Sequence, residues 1–273
     1  MELSSSIKKK IRRYEAVTAE GLTLYPITVA EYDEWCMARP GIEAMQQAFP
    51  ARLMSMPILS AMYRMDMEAL INGTESDGLF YRCLLGLALA LRLGEGEPVD
   101  SRLKRFHIQS DKRDPLKLIG LRYLKDGEEF ITITPIQFQR VRPIIAAQNG
   151  AEVQPDDVNP ELLQAERDIA ESNSPKLDVS IEDMMVSVAV FSGADESEMD
   201  DWPILKLLRR SEAIKRVLDY MVCGIGECSG SSWKGGNPAP HPFFARVRET
   251  SASLIPMAQF RQQALSSATE RTQ

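Results

Sequence analysis

Apolar residues recur at helical spacing through most of the first hundred residues, which predicts a mainly helical N-terminal domain over residues 16–100. A polar stretch rich in lysine and arginine, residues 1–15, precedes this domain and is expected to form a basic flexible arm. Residues 22–28 alternate between apolar and polar positions as a strand does. Residues 78–93 are apolar on nearly every side, which is typical of a buried central helix.

Capping and breaking residues predict where the helices of this part begin and end. Thr28 and Glu31 have the spacing of a capping pair and are expected to begin a helix. Pro40 and Gly41 are expected to break that helix. A longer helix is expected over 57–72, because a proline opens it and an Asn-Gly pair closes it.

The pattern changes between residues 101 and 150 to that of a small β-hairpin plus helix unit. Three stretches have strand character, and they cover 106–109, 116–124 and 130–134. The Asp-Gly pair at 126–127 is a strong hairpin signal, because both of its positions tolerate a positive φ.

A helix is expected directly after these strands. Thr134 and Gln137 have the spacing of a capping box, and Pro135 suits the first helical turn. The helix should end at Asn149. Pro143 inside it is expected to kink the helix or to end it early.

Residues 151–179 are rich in Pro, Asp, Asn and Ser and are interpreted as an acidic linker that contains one helix over 160–171. A two-helix module is expected over 180–222, and a Gly/Pro-rich loop with a flexible tail over 223–273. The chain as a whole is therefore predicted to be mainly α with a small α+β unit that contains a β-hairpin. The N-terminal part is expected to be helical, the middle a β-hairpin with a helix, and the C-terminal module helical.

The two-helix module has the clearest local signals. Ser180 and Asp183 form a capping pair, and Gly193 should end the first helix. Asp195 is expected to cap a short acidic turn, and Pro203 to begin the second helix. Its two apolar faces are predicted to consist of Ile181, Met184, Met185 and Val188 in the first helix and of Ile204, Leu207, Leu208, Ile214, Leu218 and Met221 in the second.

Composition is that of an ordinary globular protein, with 44% apolar and 26% charged residues among 273. The net charge of −7 argues against general nucleic-acid binding, which depends on neutralising phosphates. The most apolar run, 79–93, contains two arginines and is too short to cross a bilayer, and no secretory signal is recognised. Four cysteines are too few for a disulfide framework, so cytoplasmic thiols are expected.

Charge is segregated along the chain. Residues 102–125 carry eight basic and two acidic side chains, whereas residues 156–201 carry fourteen acidic and two basic ones. Opposite patches can steer a partner or support a homo-oligomer, and pairing between segments of one chain accounts for them equally well. A nucleic-acid-binding adaptor that uses 102–125 is a further functional alternative, although only Phe106 and Tyr123 are aromatic there.

No motif in the chain predicts catalysis, so neither enzyme activity nor a cofactor is expected. The two histidines, His107 and His241, are not accompanied by a nucleophile elbow. Cys223, Cys228 and His241 do not form a zinc pattern, because C-x4-C is a poor ligand pair and a fourth ligand is missing. No metal site is expected.

Residues 180–221 follow the order apolar helix, small residue with Gly, acidic turn, hydrophobic residue with Pro, second helix. The residues that carry this order are Met184-Met185, Val188-Ala189-Val190, Ser192-Gly193, Asp195-Glu196-Ser197-Glu198 and Trp202-Pro203-Ile204-Leu205. The order resembles that of the tail assembly chaperones of tailed bacteriophages and related prophages. The resemblance implies a protein of the bacterial host cytoplasm that keeps the tape measure protein, or another tail protein, soluble and helps to recruit tail tube subunits.

The contacts with such a partner are expected from apolar helix faces. The candidate residues are Met184, Met185, Val188, Trp202, Leu205 and Leu208 in the module and Met54, Met56 and Met62 in a methionine-rich stretch, residues 37–67. Unbranched thioethers adapt to varied apolar partners, but the same methionines also suit a helical core, which is the favoured interpretation of that stretch. A structural virion component, such as a connector or baseplate-associated subunit, is the alternative function in the same setting.

Overall fold

The computed structural model describes residues 3–125, 128–154, 160–173, 179–230 and 239. The chain divides into two compact units. Unit 1 consists of Met1–Gln154 with Val179–Arg209, and unit 2 of Pro155–Asp178 with Arg210–Gln273. The predicted turn at 126–127 and the predicted loop and tail beyond residue 230, apart from residue 239, lie outside the described residues.

The N-terminal segment forms a helix and a hairpin. Helix α1 spans Ser5–Arg12, and strands β1 and β2 span Val17–Ala19 and Leu22–Leu24. The prediction of a flexible arm over 1–15 is therefore wrong: the side chain of Ser4 caps α1, and Ile11 is buried in the core. Glu20 and Gly21 both have positive φ, as a two-residue hairpin turn requires.

Four helices complete the N-terminal half of unit 1. They are α2 (Tyr32–Glu43), α3 (Ile58–Asn72), α4 (Leu79–Ala90) and α5 (Val99–Lys104). The predicted helix over 57–72 and the buried helix over 78–93 are confirmed as α3 and α4. Gly73 ends α3 in the left-handed conformation, as its position after an asparagine suggests.

Two boundaries of α2 differ from the prediction. Thr28 makes no side-chain capping bond to the 3₁₀ helix Val29–Glu31 that precedes α2. Pro40 and Gly41 do not break α2, which runs through both of them to Glu43. Position 41 requires a glycine, because α4 lies so close that a Cβ on Gly41 would be 2.7 Å from the Cys83 backbone nitrogen.

A three-stranded antiparallel sheet with the order β3-β4-β5 follows. Its strands span Phe106–Ser110, Leu118–Lys125 and Glu128–Ile133. Helix α6 (Pro135–Gln148) begins at a complete capping box between Thr134 and Gln137, as predicted. It continues through Pro143, so this proline does not end it early.

The C-terminal elements are α7 (Pro160–Asn173), α8 (Ile181–Ser192), a 3₁₀ helix (Glu196–Asp201) and α9 (Ile204–Cys228). They include the three helices predicted for this part, of which α7 corresponds to 160–171 and α8 and α9 to the two-helix module. The expectation of irregular chain from residue 223 is wrong for its first residues, since α9 includes Gly224 and Gly226. Both glycines keep helical geometry, unlike Gly193, which has φ +66° and ends α8.

The core of unit 1 lies among α2, α3, α4, α6 and the inner face of the sheet. Its fully buried side chains include Ile42, Leu59, Met62, Leu85, Leu121, Tyr123, Ile133 and Phe138. The register pairs Phe106 with Tyr123 and Leu121 with Ile133, so one face of the sheet supplies these residues. The fold is thus mainly helical with a small β unit, and the predicted fold class is confirmed.

Candidate functional site

Helix α8 is fixed at both ends by its own residues. The hydroxyl of Ser180 accepts a hydrogen bond from the Asp183 backbone N–H at 3.1 Å, and the Asp183 carboxylate accepts one from the Ser180 backbone N–H at 3.1 Å. Gly193 closes the helix in the left-handed conformation, and its N–H donates to the carbonyl of Ala189. This helix therefore presents its side chains from a well-defined backbone.

One face of α8 points inward. Val188 is fully buried, and Met184 and Met185 are half-buried. The hydroxyl of Ser192 donates to the carbonyl of Val188 at 2.6 Å on the same side. The face that the sequence analysis proposed for a partner is thus the inward face of α8.

The junction between α8 and α9 is joined to the N-terminal segment by backbone hydrogen bonds. The N–H of Val29 donates to the carbonyl of Trp202 at 2.8 Å, and the N–H of Ile204 donates to the carbonyl of Ile27 at 3.0 Å. Trp202 is buried, with the Lys206 ammonium 3.6 Å from the centroid of its ring. Trp202 therefore serves as an anchor of the fold.

Leu205 and Leu208 face the loop that follows α6. Gly150 there has φ +73°, and a Cβ on it would lie 2.7 Å from Leu208 Cδ1 and 3.8 Å from Leu205 Cδ1. Leu205 is buried and Leu208 is half-buried against the same core. These two side chains pack the start of α9 against the loop that follows α6.

The methionine-rich stretch divides in the same way. Met62 is fully buried, with its sulfur 3.7 Å from Cys83 Sγ. Met56 is half-buried against the core, whereas Met54 is exposed. The core interpretation therefore holds for Met62, and only Met54 lies on the surface.

Four of the nine predicted contact residues are corrected by these positions: Met62, Val188, Trp202 and Leu205. Their side chains are buried within unit 1, so they stabilise the fold and are not offered to a partner. Burial of a large apolar side chain contributes about 1.5–3 kcal/mol to stability, which is why the fold retains these residues. The half-buried Met56, Met184, Met185 and Leu208 expose only part of their surface.

The outward face of α8 carries apolar side chains that the prediction missed. Val190 is 74% exposed, Phe191 57% and Val186 47%. We call these three residues the α8 patch. Val186 and Val190 are four residues apart and so lie on one face of the helix, a spacing that was present in the sequence. Sequence alone does not distinguish the two sides of α8, because both carry apolar residues.

The α8 patch lies in an acidic segment. Residues 179–201 contain seven acidic and no basic side chains. All seven are exposed, and they are Glu182, Asp183, Asp195, Glu196, Glu198, Asp200 and Asp201. Hydrogen bonds from the Ser197 hydroxyl and backbone N–H hold the pKa of Asp195 below its ordinary value. The segment is therefore negatively charged near neutral pH, and it combines apolar and anionic groups.

The basic stretch 102–125 is engaged in several ion pairs within unit 1. Arg102 is buried and contacts Glu31, with 3.3 Å between Nη1 and Oε1. Arg105 pairs with Glu97 at 2.7 Å, and Lys117 Nζ lies 3.5 Å from the carboxylate of Asp111. These cations offset acids of the same unit, which weakens the case for a nucleic-acid surface there.

A cavity of about 310 Å³ lies between the loop after α4 and the strands β4 and β5. Its lining residues are Leu91, Arg92, Leu93, Gly94, Glu95, Glu97, Arg105, Tyr123, Lys125 and Phe130. Burial raises the pKa of the Tyr123 phenol, and the nearby Arg105 guanidinium opposes this rise. The lining contains no serine, cysteine or histidine, so it offers none of the usual nucleophile and base pairs.

Within the described part of the chain, no group of three or more His, Cys, Asp or Glu side chains could hold a metal ion. Cys223 and Cys228 are free thiols, and His241 lies outside the described residues. In the same described part, none of the helices combines the length and apolarity needed to cross a bilayer. Comparison with protein-family models, with curated proteins and with solved structures finds no significant match to the chain.

Proposed function

We propose that the protein binds another polypeptide through the α8 patch, and that the partner segment is an amphipathic helix with basic flanks. The observation that carries the proposal is a group of exposed apolar side chains on a capped helix. The segment around this helix has charged residues of one kind only, all of them acidic. An apolar helix face favours an apolar partner face, and the surrounding carboxylates select a cationic one.

We further propose that this binding takes place in phage or prophage tail assembly, with the tape measure protein as partner. This proposal rests on the resemblance of the sequence 180–221 to tail assembly chaperones, whose order of elements runs here from α8 through the left-handed Gly193 and the acidic 3₁₀ helix to α9. A long helical tail protein has apolar faces that need cover before assembly. The acidic surface would keep the complex in solution by charge repulsion between complexes.

Co-expression with the tape measure protein of the same genome tests this proposal. We expect the tape measure protein to be soluble and to co-purify with the chain. Val190→Asp should reduce its recovery at least tenfold, because a carboxylate would then face the apolar side of the partner helix. Leu70→Asp is the matched control, since Leu70 lies near the end of α3 and is 72% exposed. It should leave recovery unchanged.

Equal recovery with Val190→Asp and with the wild-type chain would contradict the α8 patch as the binding surface. A tape measure protein that is equally soluble without the chain would contradict the chaperone role. Detection of the chain in mature particles would instead favour the structural virion component, because an assembly chaperone leaves before the particle is complete.

A further inference from the structure

The C-terminal part of α9 exposes a seven-residue apolar repeat. Counting along α9, successive positions of the repeat are separated alternately by three and four residues. We call this set the α9 seam, and it consists of Ser211, Ile214, Leu218, Met221, Ile225 and Cys228. A sustained alternation of three and four places these side chains on one stripe of a helix, as in the contact positions of a coiled coil.

The last four residues of the α9 seam are exposed, whereas Ser211 and Ile214 are half-buried. Leu218 is 38% exposed, Met221 55% and Ile225 64%. Val217 and Val222, which flank the stripe, are also exposed. The whole seam belongs to the portion of α9 in unit 2. An exposed helical stripe of this kind is typical of a surface that packs against a second apolar face.

The order of side chains in the α9 seam is nearly the same in both directions. Reversing it about its midpoint places Leu218 opposite Met221, and Ile214 opposite Ile225. The same reversal places the small Ser211 opposite Cys228. A second copy that lies antiparallel would therefore match large side chains with large ones and small with small, in one isologous interface.

Charge also favours the antiparallel arrangement over the parallel one. In a parallel pair Arg210 of each copy would face Lys215 of the other, which places like charges together twice. In the antiparallel pair Lys215 faces Val222, and Val217 faces Gly224. The opposed helix dipoles of two antiparallel helices add a further favourable contribution.

We propose that the α9 seam pairs with the seam of a second copy of this chain to form an antiparallel two-helix dimer. The interface comprises about two and a half heptads from each copy, so its area is at the low end for specific association. The dimer is therefore expected to form with a dissociation constant in the roughly micromolar range. This proposal concerns a different surface from the α8 patch and does not depend on the proposed function.

Sedimentation equilibrium of the full chain between about 1 and 200 µM tests the pairing. The expected result is a mass that rises with concentration from 30.6 kDa towards twice that value. Leu218→Glu should weaken the dimer at least tenfold, because two carboxylates would enter its central layers. Leu162→Glu is the matched control, since Leu162 is an exposed leucine on α7 of the same unit. It should leave the equilibrium unchanged, and circular dichroism should show equal helix content in both variants.

Disulfide trapping tests the orientation. In a background with Cys36→Ser and Cys223→Ser, the antiparallel pair predicts that Ser211→Cys forms a disulfide with Cys228 of the second copy. The same background without Ser211→Cys should remain uncrosslinked, because the two Cys228 thiols then lie at opposite ends. A ready disulfide between two Cys228 residues would overturn the antiparallel arrangement in favour of a parallel one.

Three further results would overturn the proposal. One is a monomer at every concentration up to 200 µM, which would also be found if residues 231–273 covered the seam. Another is a dimer that Leu218→Glu does not weaken. The third is a monomer whose capture of the tape measure protein is lost with Leu218→Glu, which would assign the seam to a foreign helix. Val190→Asp distinguishes the two proposals: this variant should lose capture of the tape measure protein and still form the dimer.

Discussion

At the scale of single residues, two glycines determine how closely α2 and α4 approach. A Cβ on Gly41 would lie 2.7 Å from the backbone nitrogen of Cys83 and 2.8 Å from the carbonyl oxygen of Leu79. A Cβ on Gly86 would lie 2.8 Å from Ile42 Cδ1 and 2.9 Å from Ile42 Cγ1. The first contact is with backbone, which cannot move without shifting α4, whereas the second is with a side chain, which can shift by rotation about its own bonds.

We therefore expect Gly41→Ala to lower the free energy of unfolding by about 3 kcal/mol and Gly86→Ala by about 1 kcal/mol. Chemical denaturation followed by far-UV circular dichroism measures both values. Gly86→Ala combined with Ile42→Val should recover part of the loss, because valine lacks the Cδ1 atom that the new methyl group would meet. Equal costs for the two single variants would contradict the distinction between backbone and side-chain contacts.

Cys83 shows what burial does to a thiol at this interface. It is fully buried, its Sγ donates to the carbonyl of Gly41 at 3.1 Å, and burial raises the pKa of the thiol far above its ordinary value. The thiolate is the reactive form. We expect Ellman's reagent to modify the exposed Cys36 and Cys228 of the native protein at pH 8 within minutes.

Cys83 should react only after unfolding, in step with the loss of helix signal. Cys83→Ala provides the control, since it should remove the slow phase and leave the fast phase intact. A native Cys83 that reacts as fast as Cys36 would show that α2 and α4 separate frequently.

At the scale of elements, most helix boundaries can be predicted from the sequence, because the residues that form each cap are close neighbours along the chain. The capping boxes Thr134 with Gln137 and Ser180 with Asp183 formed as predicted. The pair Thr28 with Glu31 has the same spacing but does not form a capping box. The backbone carbonyl of Thr28, and not its hydroxyl, accepts from the Glu31 N–H at 3.0 Å, and the carboxylate of Glu31 pairs with Arg102.

The capping box of α8 makes a prediction at this scale. Ser180→Ala removes the acceptor for the Asp183 N–H and should cost about 1 kcal/mol in the local stability of α8. Hydrogen exchange of the amides in the first turn of α8 should become about fivefold faster, in line with that free energy. Ser180→Thr keeps a hydroxyl and should exchange nearly as the wild type does. Unchanged exchange in Ser180→Ala would show that packing alone holds the helix start.

At the scale of the whole molecule, one side chain joins two segments that are far apart in sequence. The side-chain oxygen Oδ1 of Asn149 accepts from the backbone N–H of Ile27 at 2.8 Å, and the side-chain nitrogen Nδ2 donates to the backbone carbonyl of Ile145 at 2.8 Å. Asn149 is almost fully buried, so neither partner can turn to water for a replacement. The contact closes the N-terminal segment on the end of α6.

Asn149→Ala should therefore lower the free energy of unfolding by about 2 kcal/mol, the cost of leaving a buried N–H without an acceptor. Urea denaturation with an unchanged m-value measures it. Asn149→Asp keeps an acceptor for Ile27 but places a buried carboxylate oxygen against the Ile145 carbonyl, so near neutral pH it should cost at least as much as Asn149→Ala. A cost below about 0.5 kcal/mol would indicate that another group satisfies the Ile27 N–H.

The pattern of residues along the chain is enough to predict the fold class, the buried helix α4, the three strands of the sheet and the start of α8. Each of these depends on periodicity or on capping between residues a few positions apart. Gly73 and Gly193 were likewise recognisable as helix ends. The sequence also contained the exposed stripe of α8 and the repeat of α9, but it did not say which apolar face would be covered.

Which apolar face of a helix is covered depends on the three-dimensional packing, because the residues that cover it come from elsewhere in the chain. Val188, Trp202 and Leu205 are interior, and the surface that we propose for partner binding lies on the opposite side of α8. In the same way, the close approach of α4 explains why α2 carries a glycine at position 41, and the burial of Ile11 in the core attaches α1 to the rest of unit 1. Local patterns specify elements, whereas long-range packing specifies which of their faces remain available to other molecules.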